Sequence, residues 1–506
     1  MTTLSPDPRF GPNKSVAVIG AGIAGVSAAA HLLKHGLSVT VFERSDTIGG
    51  IWHYDERTAA DPPFPCHTPS AGDFRVSRPG EYAQSTPPPD TPEKDDVEVQ
   101  FAPPGPCYAG LQTNIPTNVL VSRLHAWPDG TDLKVSQVLS ERFIVDMAAA
   151  HGVDGVTRFR TRVDQVTKTP DGRGWEVRTV ELQRNKRLVE HREVFDFVVA
   201  ASGHYSMPRI PPISGLEGWK SAFPARLSHS KQYRRPDRFR GRTVLVVGAG
   251  VSAMDICHEL TGVGATVYQS VRGGFADMPL HMLPPSTMRV GEIISFSDLS
   301  ATSGNTDENA PIPGTVHLKD GKILDGIHDI VFATGYITTY PYLPQFHSDS
   351  LKNTQADERV LITAEGTMVH NLHRDIFYIP DPTLAFIGVP LHTASFGLDD
   401  FQSETVARVF TGKAKLPTEK EMRAEYAKKI KERGVGKGFH SLALGGSEVA
   451  YVDGLVEWMN RGLEEDEKVV GLGAEWVRMY EAFKREKAVE WFGSLEEAEK
   501  WLGKKT

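Results

Sequence analysis

Two glycine-rich turns of the same design stand far apart in this chain, and they limit it to folds that hold two nucleotides. The first is Gly20-Ala21-Gly22-Ile23-Ala24-Gly25; the second is Gly248-Ala249-Gly250-Val251-Ser252-Ala253. Each follows a short apolar run, Val16 to Ile19 and Val244 to Val247, and opens a helical pattern. In such a strand–turn–helix unit the first glycine makes the tight turn and the second lets backbone approach a pyrophosphate. The third lets helix pack on strand. The pyrophosphate then rests on unpaired N–H groups at the positive helix end. Two units predict an α/β fold with two Rossmann-like dinucleotide-binding domains, and a protein that passes electrons from one cofactor to another.

The units are not equivalent. Glu43, followed by Arg44, ends the second strand of the first unit. A carboxylate there accepts hydrogen bonds from a ribose 2′-OH and repels a 2′-phosphate, which suits FAD or NAD. In the second unit the comparable strand, Ala265 to Ser270, runs through Val271 into Arg272 with no acid. A guanidinium can grip a 2′-phosphate bidentately, which suits NADPH. Ala253 replaces the third glycine, an added methyl that the turn tolerates, and Ser252 brings a hydroxyl near the phosphates.

At 506 residues the chain has room for several domains. Its net charge of −8 argues against nucleic acid or an anionic membrane as partner. Three cysteines (Cys66, Cys107, Cys257) form neither a disulfide framework nor a metal-type spacing. The first residues lack the pattern of a signal peptide, and no apolar run is long enough to span a membrane. The expectation is a cytoplasmic protein acting on a small molecule; a homo-oligomer is compatible with it.

Twelve prolines between Pro62 and Pro106 exclude a long helix or central strand there, so residues 55–107 read as a loop wrapped over the surface. Ser136 to His151 reads as a helix ended by Gly152; Arg160 to Val166, Trp175 to Leu182 and Val194 to Ala200 read as strands. The proline-rich stretch Pro208 to Pro212 marks a boundary. The predicted division is 1–206 for the first part of the first nucleotide domain, 207–333 for the inserted second nucleotide domain, and 334–506 for the remainder of the first domain with a helical tail. Capping boxes begin at Thr418 and Ser494. Trp476, Met479, Tyr480 and Phe483 share a helical stripe that reads as core.

With these motifs on one chain, the sequence resembles the flavin-containing monooxygenases, the class B flavoprotein type, and fungal-type members in particular. Gly49-Gly50-Ile51-Trp52 is similar to the family's segment beside the flavin. Tyr108 to Pro116 is similar to the segment that brings an asparagine, here Asn114 after Thr113, to the flavin ring. Phe223 to Tyr233 is similar to the identifying motif that contains His229 and Tyr233, although Ala225 stands where that motif has glycine. Ala333-Thr334-Gly335-Tyr336 matches its late motif. Thr117 and Asn118 depart from the Lys-Glu usual after the asparagine segment.

The resemblance implies cofactor contacts at Gly50, Ile51, Trp52, Thr113, Val163, Gly203 and Gly335 as well as at both glycine turns. It implies that NADPH reduces FAD, that O2 adds to the flavin as a C4a-hydroperoxide, and that one oxygen passes to a soft nitrogen or sulfur of a small molecule, as in secondary metabolism. Asn114 is then the catalytic residue, because an amide offers donor and acceptor without a charge. His229 and Tyr233 read as hinge residues or as NADPH contacts. His392 and Phe396, after the apolar run Leu384 to Val389, are candidates for the substrate pocket. Tyr233-Arg234 stands where Baeyer–Villiger enzymes carry Trp-Pro, which favours heteroatom oxygenation over ketone chemistry. An NADPH oxidase that only makes peroxide remains a rival. A dithiol–disulfide reductase lacks its cysteine pair here.

Overall fold

Valine-rich runs alternating with a small-residue helix build the first unit. The computed structural model describes residues 7–73, 94–274, 277–299, 307, 309–443 and 446–502. Strand β1 (Ser15–Ile19) enters helix α1 (Ile23–Lys34), and β2 (Ser38–Phe42) returns parallel to β1. Val16, Ala17 and Val18 are fully buried, as in a parallel strand covered on both faces. Helix α1 ends at His35, and Gly36 adopts φ +78°, the left-handed turn that terminates helices.

Among its described residues the proline-rich region holds one short 3-10 turn, Pro69–Ala71, and one α-helix. Helix α2 (Lys94–Phe101) lies between Pro92 and Pro103, the gap in the proline run that lets backbone N–H groups pair. Its Phe101 is buried with Val180 and Leu182, so the expectation of a loop throughout is corrected at this point. Residues 74–93 of the region lie outside the described residues.

Helix α3 (Gln137–Ala150) and strand β3 (Thr157–Arg158) follow. An antiparallel meander of β4 (Thr161–Lys168), β5 (Trp175–Leu182) and β6 (Leu188–Phe195) leads to β7 (Phe197–Ala200). The apolar run Val194 to Ala200 is therefore two strands in two sheets. Asp196 makes the break: its carboxylate accepts the Ser15 N–H at 2.9 Å and the Lys14 ammonium at 2.9 Å, pinning the turn to the start of β1.

The second unit comprises β8 (Leu227–His229), β9 (Thr243–Val247), helix α4 (Val251–Gly262), β10 (Thr266–Ser270), β11 (Met288–Val290) and β12 (Asp329–Phe332). These strands form an all-parallel sheet in the order β11-β10-β9-β12-β8. The chain then rejoins the first sheet through β13 (Leu372–His373), β14 (Phe377–Tyr378) and β15 (Leu384–Phe386). That sheet has seven strands in the order β13-β14-β15-β7-β1-β2-β3. The second sheet thus lies, in sequence, wholly inside the first, and the fold is α/β with two Rossmann-like units.

Helix α5 (Ser395–Phe410) packs on α1 across the first sheet's face, where Phe410 stacks on Phe197 at 4.0 Å between ring centres. The tail is helical as expected: α6 (Glu419–Arg433), α7 (Ser447–Met459), α8 (Ala474–Phe492) and α9 (Leu495–Leu502). Thr418 and Glu421 form a complete capping box. Among the described residues no helix is long and apolar enough to cross a membrane.

Candidate active site

The first glycine turn is built to bring backbone close to a ligand. Gly20 has φ +102°, and a Cβ there would lie 2.8 Å from the Ala201 carbonyl oxygen at the end of β7. A Cβ on Gly25 would sit 1.8 Å from the Gly20 carbonyl oxygen, so only glycine lets the helix enter this tightly. Gly50, at φ +57°, faces Gly22: a Cβ on Gly50 would be 2.8 Å from the Gly22 Cα. Gly22 caps α1 without any side-chain hydrogen bond, which leaves the Ile23 and Ala24 amides without a helical partner. Glu43 is buried; its carboxylate accepts the Ala21 N–H at 2.7 Å and the Ser45 N–H at 2.9 Å. A fixed carboxylate, a bare helix end and an interlocked glycine pair fit a dinucleotide.

Around this cradle, Ile51 is exposed and Trp52 half-buried. Gly203 (φ +68°) follows β7 with open space where a Cβ would stand, and Gly335 (φ +80°) has the same freedom. Val163 differs: its side chain is buried among the residues under the sheet, at a bulge of β4 against β5, so only its backbone is available to a ligand.

The second turn repeats the design with one relaxation. Gly248 has φ +127°, and a Cβ there would be 2.3 Å from the Ala333 carbonyl oxygen. Gly250 has open space around it and caps α4 without a side-chain bond. Val251 and Ser252 are exposed at the helix start, while Ala253 is fully buried in the helix–sheet contact. Arg272 is exposed past the end of β10. The Arg209 guanidinium donates to the Glu365 carbonyl at 2.6 Å and the Gly366 carbonyl at 3.2 Å; burial, and then the charge of Arg272, lower its pKa. The exposed Arg272, with Arg209 in range of its charge, fits a 2′-phosphate, and Arg209 had no signal in the sequence.

The segment carrying Asn114 is wedged between the units. Gly105 lies against Gly50 and Ile51, and the Cys107 thiol points at the Trp52 carbonyl at 3.7 Å. Farther on, the Tyr108 hydroxyl donates to Asp255 of α4 at 2.8 Å. A Cβ on Gly110 would be 1.9 Å from a carboxylate oxygen of Glu259. Thr113 is buried and pairs with Val135 through its backbone N–H (2.9 Å) and its hydroxyl (3.2 Å). Asn114, the next residue, is exposed, and its side-chain amide bonds no described residue.

Known proteins share this arrangement. Residues 134–278 and 311–462 match the family described as flavin-binding monooxygenase-like, and residues 18–78 match an NAD(P)-binding Rossmann-like domain. The flavin-containing monooxygenase ustF2 of Aspergillus flavus is 42% identical over 497 residues, which cover 93% of this chain and 97% of that one. The flavin-containing monooxygenase iboF of Amanita muscaria is 32% identical over 487 residues, 89% of this chain and 88% of that one. Among solved structures, S-allyl-L-cysteine S-oxygenase from Allium sativum has the same fold, with a TM-score of 0.67 at 22% identity over 97% of this chain and 99% of that one. The chain belongs to the flavin-containing monooxygenase family. Its cofactors are FAD and NADPH.

The family's identifying motif is tied down by bonds within the protein. His229 is fully buried; its Nδ1 accepts the Lys231 N–H at 3.0 Å, which fixes the proton on Nε2, and Nε2 donates to the Gly335 carbonyl at 3.0 Å. Burial pushes its pKa down to about 3, so the ring is neutral. The Tyr233 hydroxyl donates to Glu259 at 2.6 Å, and its ring meets Tyr108 edge-on at 5.8 Å. The polar atoms of both side chains are thus occupied within the protein.

A buried ion cluster next to this motif had no sequence signal. Asp73 binds Arg44 at 3.0 Å and Lys231 at 3.0 Å. Burial opposes its ionisation, but the two cations outweigh burial and hold its carboxyl well below the ordinary range. Arg44 therefore faces Asp73, beside the nucleotide acid Glu43.

The two tentative pocket residues separate. Phe396 is fully buried between Phe143 (5.3 Å) and Trp127 (6.2 Å) and is core, which corrects its expectation as a pocket residue. The apolar spacing of α5 turns it inward. His392 is exposed, holds the left-handed φ of +61°, and pairs through Nδ1 with the Ser441 hydroxyl at 2.8 Å.

Proposed function

We propose that this flavin-containing monooxygenase transfers one oxygen atom of O2 to a soft nitrogen or sulfur of a small molecule. FAD supplies the oxygen activation once NADPH has reduced it. The chain's own residues hold, orient and seal. The helix starts at Ile23 and Val251 bind the two pyrophosphates, Glu43 holds the flavin-side ribose, and Arg272 with Arg209 holds the 2′-phosphate.

One observation carries the reading: the segment 105–114 touches the Gly50–Trp52 loop at one end and α4 of the nicotinamide unit in its middle. On this reading it presents Asn114, whose side chain is exposed, to the bound cofactors. An uncharged amide there hydrogen-bonds a bound oxygen species without donating a full proton, and so slows its loss as peroxide. Tyr233-Arg234 in place of Trp-Pro supports nitrogen or sulfur over ketone chemistry. The fold shared with a sulfur oxygenase is compatible with that choice.

The test follows NADPH oxidation with panels of amines, sulfides and ketones, with product mass and peroxide measured together. Products heavier by one oxygen on nitrogen or sulfur support the proposal. Ring-expanded esters from ketones overturn it in favour of Baeyer–Villiger chemistry. Peroxide as the sole product, with every panel, overturns it in favour of an oxidase.

A further inference from the structure

Helix α8 lies beyond the residues that match the family, yet it reaches the candidate active site from two sides. Trp476 donates its indole N–H to the Val119 carbonyl at 3.0 Å, five residues past Asn114. Ile115 and Ala394 share one apolar cluster with Tyr480, Met479 and Phe483 of this helix. The helix therefore clamps the Asn114 segment against the loop that carries His392. That loop begins at Gly388, where a Cβ would touch the Ala24 methyl of the first cradle at 3.5 Å.

Lys484 of α8 points its ammonium at this loop. It donates to the His392 carbonyl and to the Leu442 carbonyl, both at the long distance of 3.4 Å. It is half-buried, and no described carboxylate lies within 4.0 Å of it. The nearby Glu448 is already engaged by the Ala394 N–H at 3.1 Å and by the Tyr480 hydroxyl. Other lysines withdrawn from solvent are paired: Lys231 with Asp73 at 3.0 Å, Lys429 with Asp375 at 2.6 Å, and Lys168 with Asp381 at 2.7 Å. Lys484 feels the charge of Glu448 from beyond ion-pair distance and lies 5.4 Å from the centre of the Tyr480 ring; with two long carbonyl contacts it keeps a spare N–H for a directly bound anion.

We propose that Lys484 is a specificity-determining residue whose ammonium receives a carboxylate of the substrate. This rests on the monooxygenase reading above. The surroundings favour an anion. Burial, then Lys484 and Lys437, keep the His392 imidazole below its ordinary pKa, so the ring stays neutral and the lysines supply the local charge. The substrate carboxylate takes the spare N–H of Lys484, and the soft atom of the same molecule is held toward Asn114.

The test uses two thioethers that differ in charge, 3-(methylthio)propanoate and 3-(methylthio)propanamide. Each is titrated into the oxidised FAD holoenzyme while the flavin absorbance is followed, so binding is read without turnover. The native protein should bind the acid about tenfold more tightly than the amide, a typical gain from one partly desolvated ion pair. Lys484→Met keeps the apolar stem and should abolish that preference, with amide binding unchanged. Lys484→Arg should restore most of it. No binding of the acid, equal binding of acid and amide by the native protein, or equal loss of both in Lys484→Met would overturn the proposal. A charge preference in binding without oxygen transfer to any panel substrate would instead sink the monooxygenase reading and leave the lysine's role intact.

Discussion

Replacing Asp73 with asparagine removes one carboxylate from a site that holds two cations. Arg44 is 24% exposed and can be rehydrated, whereas Lys231 is 3% exposed and keeps only the Ser206 carbonyl at 2.5 Å. The loss is therefore set mainly by Lys231. Breaking a buried pair by removing one partner costs about 3–5 kcal/mol, and the exposure of Arg44 puts this case near the lower figure, about 3 kcal/mol. For a cooperative unit of about 200 residues that lowers the melting temperature by roughly 6–12 °C. The pH dependence has a definite sign. The folded pKa of Asp73 is depressed, so its contribution is fully present above the unfolded carboxylate value and is lost as pH falls below about 4. The gap between native protein and variant should hold steady from about pH 5 to 8 and close below about 4. Thermal unfolding followed by circular dichroism and by release of FAD fluorescence measures both quantities. Because Arg44 adjoins Glu43, flavin release should move with unfolding. A variant that melts within about 2 °C of the native protein, or a gap that survives unchanged in acid, would refute the buried-pair argument.

Three further outcomes follow from the site. Asn114→Ala should retain FAD and NADPH oxidation but release hydrogen peroxide in place of oxygenated product; normal coupling, measured as product per NADPH, would remove the assigned role. Gly25→Ala should abolish FAD binding, because its Cβ would lie 1.8 Å from backbone, whereas Gly250→Ala, with open space around it, should fold with bound FAD and lose NADPH affinity. Visible absorbance and coenzyme titration separate the two, and an equally yellow pair of variants would contradict the steric reading. Arg272→Ala should raise the KM for NADPH about 10–100-fold, the worth of one charge-assisted phosphate contact, and leave NADH unaffected; equal effects on both coenzymes would place the 2′-phosphate elsewhere.

The sequence by itself determined the two dinucleotide units, their order and their cofactor preference. Each glycine turn compresses its requirement into six neighbouring residues, and Glu43 and Arg272 stand one strand away, so short-range geometry suffices. The end of α3 at Gly152 and the cap at Thr418 were legible for the same reason. Other features depended on which distant groups meet. The run Val194 to Ala200 divides because Asp196 finds Ser15, and Phe396 turns inward because Trp127 and Phe143 supply a cavity wall. The Asp73 cluster joins residues 29 and 158 positions apart, and Lys484 reaches a loop 92 positions away. No spacing rule encodes such pairs. Backbone turns are selected by local sterics, whereas the fate of a buried charge depends on which groups the whole fold places within reach of it.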